Sequence, residues 1–328
     1  MRSGLHPELD ALASLPVPLS TVLAGDYGVV AMLPFLLVWA LPTVLAFALL
    51  IAALKASGLL ELVCAGLHPL VRPLGLHGRD LAPFVMGYGC NVPAIIKTRA
   101  CSACTRNQAV GAIAFGSACS YQLGATGAVF AATGHAWMTA LFVLYLLATT
   151  VLYTAATRRG RTPRTLDPAA RRVFVTRPAP AAVWREATAT VRQFATRAMP
   201  IFVAICLLAS LLQALGALDT LADALAPVMR VFGLPGDASL GVVLASVRKD
   251  GLLIFGEGDL ATHLSALQLL TAVYLAGVLL PCLVTSLTIA RELSPRQALR
   301  IIGRQAAFAT LFTLALAWGG HVLMTAGL

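Results

Sequence analysis

Leu67-His-Pro69-Leu-Val-Arg72-Pro-Leu-Gly75-Leu76-His-Gly78 returns 158 residues later as Leu225-Ala-Pro227-Val-Met-Arg230-Val-Phe-Gly233-Leu234-Pro-Gly236. Six of the twelve positions are identical, where unrelated sequence would share about one. The chain therefore reads as a duplication. Both copies are short apolar pieces punctuated by glycine and proline. Matching interrupted segments in two halves are the sequence pointer to a membrane core of inverted repeats, each with a broken or re-entrant gate helix. The expected fold class is an all-α polytopic membrane protein.

Composition agrees. Of 328 residues, 59% are hydrophobic and 12% charged, with a mean hydropathy of +0.83. Soluble domains hold about 45–50% apolar and about 25% charged residues, so an ordinary cytosolic enzyme is excluded. So few polar residues remain that the net charge of +10 does not read as a nucleic-acid surface. Apolar stretches at 28–54, 107–131, 136–156, 199–218, 265–290 and 305–326 reach the length of about 20 residues that a span needs. Those at 59–71, 84–96 and 238–256 are too short or too interrupted. The seven cysteines lie in or beside apolar stretches and read as free thiols.

Residues 158–198 hold ten arginines against Asp167 and Glu186, a net +8. By the positive-inside rule this is a cytoplasmic loop, and counting spans outward from it puts both termini outside. The expected organisation is an N-terminal segment 1–26, membrane repeat 1 at 27–157, the Arg-rich loop 158–198 and membrane repeat 2 at 199–328. The expected location is a bacterial inner membrane, with the lipid bilayer as the constant partner.

In repeat 1 the interruption is Gly87-Tyr88-Gly89-Cys90-Asn91-Val92-Pro93. Glycines and a proline release backbone groups from a helix, and unpaired backbone groups are tolerated at membrane depth only beside protein or a water-filled cavity. Gly87, Gly89, Cys90, Asn91 and Pro93 are thus candidates to line a path. The 158-residue shift lays Cys90 on Arg248 and Asn91 on Lys249, and Asp250 follows. Charges inside an apolar run are functional candidates, or else an internal ion pair that locks the bundle.

Gly87-Tyr-Gly-Cys-Asn-Val-Pro-Ala-Ile-Ile-Lys-Thr98-Arg99 resembles the gate motif of the ferrous iron transporter B family. Ser57-Gly58 and Gly75-Leu-His-Gly78 upstream, Arg248-Lys249-Asp250, Leu280-Pro281-Cys282 and Arg291-Glu292 resemble further elements of that family in the same order, over about 25–325 of the chain. The wider grouping is the Gate, or nucleoside-recognition, domain. Two departures stand out. Cys119-Ser-Tyr-Gln122-Leu123-Gly124 carries Gln and Gly where the family continues with Arg, Leu and Pro, and Lys55-Ala56 replaces an acidic pair. No Gly-x-x-x-x-Gly-Lys-Ser/Thr phosphate loop occurs in the sequence, so the GTPase that the resemblance implies would be a separate chain.

The resemblance implies an iron path along Cys90, Cys119 and Cys282. Thiolates suit soft and borderline metals, and a transported ion must bind weakly enough to leave; the alternative is that each cysteine is a small buried hydrophobe. Two weaker metal candidates are Cys101-Ser-Ala-Cys104, and Glu61, Cys64 and His68 on one face of a short helix. The expected function is passage of a divalent metal, Fe²⁺ first, with no tightly bound cofactor and no enzymatic activity. The alternatives are a nucleoside or other small solute, and a non-transporting membrane subunit working with a separate GTPase. A small accessory subunit and a homo-oligomer complete the expected partners.

Overall fold

The computed structural model describes residues 41–158, 175–193, 195–196 and 199–325. The 1–26 segment and residues 159–174 of the Arg-rich loop lie outside these, as do both chain ends. Every regular element among the described residues is helical. Helices α1 (Leu41–Ala56) and α2 (Leu59–Val71) meet at a bend of 90°. Gly58 makes the bend at φ 74°, a left-handed conformation that costs other residues about 1–2 kcal/mol. A 3₁₀ turn, Arg72–Leu74, follows and ends on Gly75 at φ 78°. Next come α3 (Leu81–Gly87), α4 (Asn91–Lys97), α5 (Arg106–Gly116), α6 (Ser120–Ala132) and α7 (Met138–Thr157). Helix α8 (Pro180–Gln193) rises from the Arg-rich segment.

The second half repeats the first. Helices α9 (Met199–Ala214) and α10 (Ala217–Met229) are joined through Gly216 at φ 67°. The 3₁₀ turn Arg230–Phe232 ends on Gly233 at φ 67°. Then follow α11 (Ala238–Val247), a 3₁₀ helix Lys249–Gly256, α12 (Gly258–His263), α13 (Ala266–Val278), α14 (Leu283–Glu292) and α15 (Pro295–Thr325). Gly58 and Gly216, Pro69 and Pro227, and Gly75 and Gly233 are each 158 residues apart and do the same work. Cys90 (φ −155°, ψ 130°) and Arg248 (φ −146°, ψ 135°) share one extended backbone at that spacing.

Among the described residues, Met138–Thr157, Ala266–Glu292 and Pro295–Val322 are long and apolar enough to cross a membrane, and the α1–α2 pair, bent by 90°, adds a fourth only when counted as one span. The protein is an all-α, multi-pass membrane protein. Two stretches expected as continuous spans are in fact broken. Residues 107–131 divide into α5 and α6 at Ser117–Cys119, and 265–290 divide into α13 and α14 at Leu279–Cys282. The Arg-rich segment is also more than a connection. Helix α8 packs on α1, where Glu186 accepts from Lys97 Nζ at 2.8 Å and from Lys55 Nζ at 3.3 Å.

The halves share one core. Phe115 stacks on Tyr153 with centroids 4.4 Å apart, and Phe130, Phe142, Phe255 and Tyr274 are fully buried around them. Tyr274 Oη donates to Thr149 Oγ1 at 2.8 Å across the repeats. Lipid is as apolar as the core, so close packing and such cross-helix hydrogen bonds, rather than hydrophobic burial, hold the halves together.

Candidate functional site

Each repeat contains two breaks; a cysteine sits at the same place in three of the four and an arginine in the fourth. Cys90 holds the N-cap position of α4, Cys119 that of α6, Arg248 that of the 3₁₀ helix and Cys282 that of α14. Each is extended, immediately before a half-helix begins. The breaks come together. Cys90, Tyr121, Val247, Cys282 and Leu283 pack around Val92 and Val284, and Cys119 lies within electrostatic reach of Cys90, Cys282 and Lys249. The three cysteines chosen from the sequence thus belong to one region. Among the described residues, no three His, Cys, Asp or Glu side chains stand together as a ready-made metal cage.

Hydrogen bonds tie the breaks in pairs. In repeat 1, the backbone N–H and Oγ of Ser120 both donate to Gly89 O, at 3.2 and 2.9 Å. Ser117 Oγ donates to Phe84 O at 3.0 Å. Gly87 makes this approach feasible, since a Cβ there would stand 2.5 Å from Ser117 Cβ. Pro93 lies in the first turn of α4, where its missing N–H costs nothing; it begins a half-helix rather than breaking one. Asn91 Oδ1 is buried with no hydrogen-bond partner, an acceptor of the kind a passing solute could use.

In repeat 2 charged side chains stand at the break. Arg248, Lys249 and Asp250 are 4%, 7% and 8% exposed. Arg248 Nη2 pairs with Asp250 Oδ2, so these two form the internal pair that the sequence left open. Lys249 turns away, and its Nζ donates to Ala276 O at 3.2 Å and Leu280 O at 2.7 Å. The three residues together carry a buried net charge of +1. Cys282 Sγ lies 3.0 Å from Thr285 Oγ1.

The weaker candidates are not gathered into a site. Glu61 is exposed and Cys64 buried, and His68 Nδ1 accepts from Gly78 N at 3.2 Å while its ring meets His77 edge-on. His68 is a brace for the turn. Cys101 lies near the Asp80 carboxylate, and burial first and that carboxylate second push its thiol well above the usual range. Cys104 is exposed and lines a surface cavity of about 130 Å³ with Asn107, Gln108, Gln297, Arg300 and Arg304.

Several further participants stood in quoted motifs without being site candidates. Ser120 was visible only as the residue after Cys119. Gln122 is buried against Gly277, its Nε2 2.7 Å from where a Cβ would stand. Glu292 accepts from Arg99 at 2.7 and 2.6 Å and from Arg106 at 3.1 Å, fastening the far end of gate 1 to repeat 2. Nothing in the local sequence marks these long-range partners.

Two halves of broken helices, with capped breaks facing one another, define a duplicated helical membrane core. The chain belongs to the Gate family, described as nucleoside recognition, which matches residues 37–136 and 195–296, more than half its length. The Fe(2+) transporter FeoB of Synechocystis is 35% identical over 148 residues, covering 42% of this chain and 23% of that protein. An Fe(2+) transport protein A/Fe(2+) transporter FeoB fusion protein of Porphyromonas gingivalis is 37% identical over 59 residues, covering 18% of this chain and 7% of that protein. The chain thus spans less than a quarter of the length of these relatives. A solved structure of CNTnw in an outward-facing state shares the fold at a TM-score of 0.50 and 15% identity, covering 96% of this chain and 81% of that one.

Proposed function

We propose that this protein carries a divalent metal ion, ferrous iron first, across the bacterial inner membrane, along a path between Cys90, Asn91, Cys119 and Cys282. The observation that carries the reading is the placement of three thiols and an unpartnered amide oxygen at the starts of half-helices drawn from both repeats. The names of the FeoB relatives support iron as the metal. The open arrangement suits an ion that must leave as readily as it enters. The Arg-rich segment 158–198 is read as cytoplasmic, and the fusion relative supports a small accessory partner.

Fe²⁺ or Mn²⁺ uptake into proteoliposomes tests this. Wild type should exceed empty vesicles, and Cys90→Ser should fall by at least about tenfold, the equivalent of 1.4 kcal/mol. Equal uptake by both removes Cys90 from the path, and no uptake above empty vesicles removes metal transport. A second reading, a nucleoside or other small solute, is favoured by the buried positive charge of the second gate and by the family's description. Competition between the metals and nucleosides for uptake separates the two.

A further inference from the structure

Lys249 is the one described charge of the Arg248–Asp250 triplet with no ionic partner. Its ammonium is buried and its two hydrogen-bond acceptors are neutral, the carbonyls of Ala276 and Leu280. The last carbonyls of a helix lack intrahelical partners and form the negative end of its dipole. Here α13 stops at Val278, and Pro281 cannot supply an N–H to prolong it. Val278 O is met by Gln305 Nε2 at 2.8 Å, which leaves the oxygens of Ala276 and Leu280 for Lys249. A cation held by backbone carbonyls at the C-terminal end of a discontinuous helix is the arrangement that carriers use for a monovalent coupling ion. Repeat 1 has no counterpart charge, because Asn91 stands at that register and its break is tied by the Ser120 hydroxyl.

We propose that the carbonyls of Ala276 and Leu280 form a monovalent-cation site whose permanent occupant is the tethered ammonium of Lys249. The proposal does not rest on the identity of the transported solute. Its consequence is that the intact protein is indifferent to external alkali cations at this position, whereas removal of the ammonium opens the carbonyls to a cation from solution.

Thermal unfolding of the purified protein in detergent tests this, with choline, Na⁺, K⁺ or ethylammonium chloride at equal ionic strength. Wild type should melt at one temperature in all four. Lys249→Ala should melt lower in choline and regain about 5 °C or more in Na⁺, K⁺ or ethylammonium, the size expected when ligand is well above its dissociation constant. Lys249→Met fills the volume without charge, so it should stay low in every salt. Recovery by Lys249→Met, with Lys249→Ala indifferent to all cations, would make Lys249 a packing residue and overturn the proposal. If Lys249→Ala is recovered folded only when cells and buffers contain ethylammonium or an alkali cation, the proposal stands; if no cation recovers it, the proposal fails. Because unfolding is measured without transport, this outcome is independent of whether metal uptake is found.

Discussion

Gly87→Ala should destabilise the protein through one residue pair. The added Cβ would lie 2.5 Å from Ser117 Cβ, 2.6 Å from Ser117 Oγ and 3.1 Å from Asn91 Oδ1. Ser117 is buried, at 3% exposed, and cannot swing into solvent. Overpacking of this kind costs about 1–3 kcal/mol. Displacing Ser117 also sacrifices its bond to Phe84 O, about 1 kcal/mol, while alanine in a helix returns about 0.5–1 kcal/mol. The net loss is about 1–3.5 kcal/mol. At about 2–4 °C per kcal/mol, the unfolding midpoint in detergent should drop by about 2–14 °C. Ser117→Gly removes both clashing atoms, so the double variant Gly87→Ala/Ser117→Gly should melt above the sum of the single effects, with a coupling of about 1–2 kcal/mol. Strict additivity, or a Gly87→Ala protein that melts like wild type, would refute the close approach of α3 to the Ser117–Cys119 break.

Glu292→Gln should lower stability by about 1–2 kcal/mol, less than a fully buried pair would, because Arg99 is 60% and Arg106 25% exposed while Glu292 is only 8% exposed; an unchanged melting temperature would show that the two arginines contribute nothing. The Lys97 hydrogen bond, with Lys55 adding to it, holds the Glu186 carboxyl below its ordinary 4.5. A lowered folded value means stability present above that pH and lost as pH falls through the folded value. The melting gap between wild type and Glu186→Gln should therefore close on acidification below about 4.5, and a gap that persists would refute the clamp. Maleimide at neutral pH should modify exposed Cys104 well before half-buried Cys101, whose thiol is pushed up by burial and the nearby Asp80 carboxylate; equal rates, read by mass spectrometry, would contradict that difference in environment.

The duplication was legible because it is written in backbone-determining residues. Gly58, Gly75, Gly216 and Gly233 dictate left-handed turns wherever they occur, and a proline inside a helix recurs with them. The first gate was legible for the same reason. The break at Ser117–Cys119 was not. Ser117-Ala118-Cys119 contains neither glycine nor proline, so an apolar run of 25 residues reads as one helix. What stops it is tertiary: Gly89 O, freed at another break, draws the N–H and hydroxyl of Ser120. Arg248, Lys249 and Asp250 were visible as misplaced charges, yet their division into an Arg–Asp pair and a lone ammonium depends on carbonyls some thirty residues away. Glu186 looked like a stray acid in a basic loop until Lys55 and Lys97 were brought to it.

The unequal ties at the two gates impose an order in time. Separating Ser120 from Gly89 O exposes a hydroxyl and a carbonyl, groups whose mutual bond is worth about 1 kcal/mol net. Drawing Lys249 off its carbonyls strands an ammonium in a dry interior, at several kcal/mol until water arrives. Any rearrangement that opens both halves therefore starts in the first and reaches the second only after solvent does. A duplication whose halves share their turn residues has left one of them the leader and the other the follower.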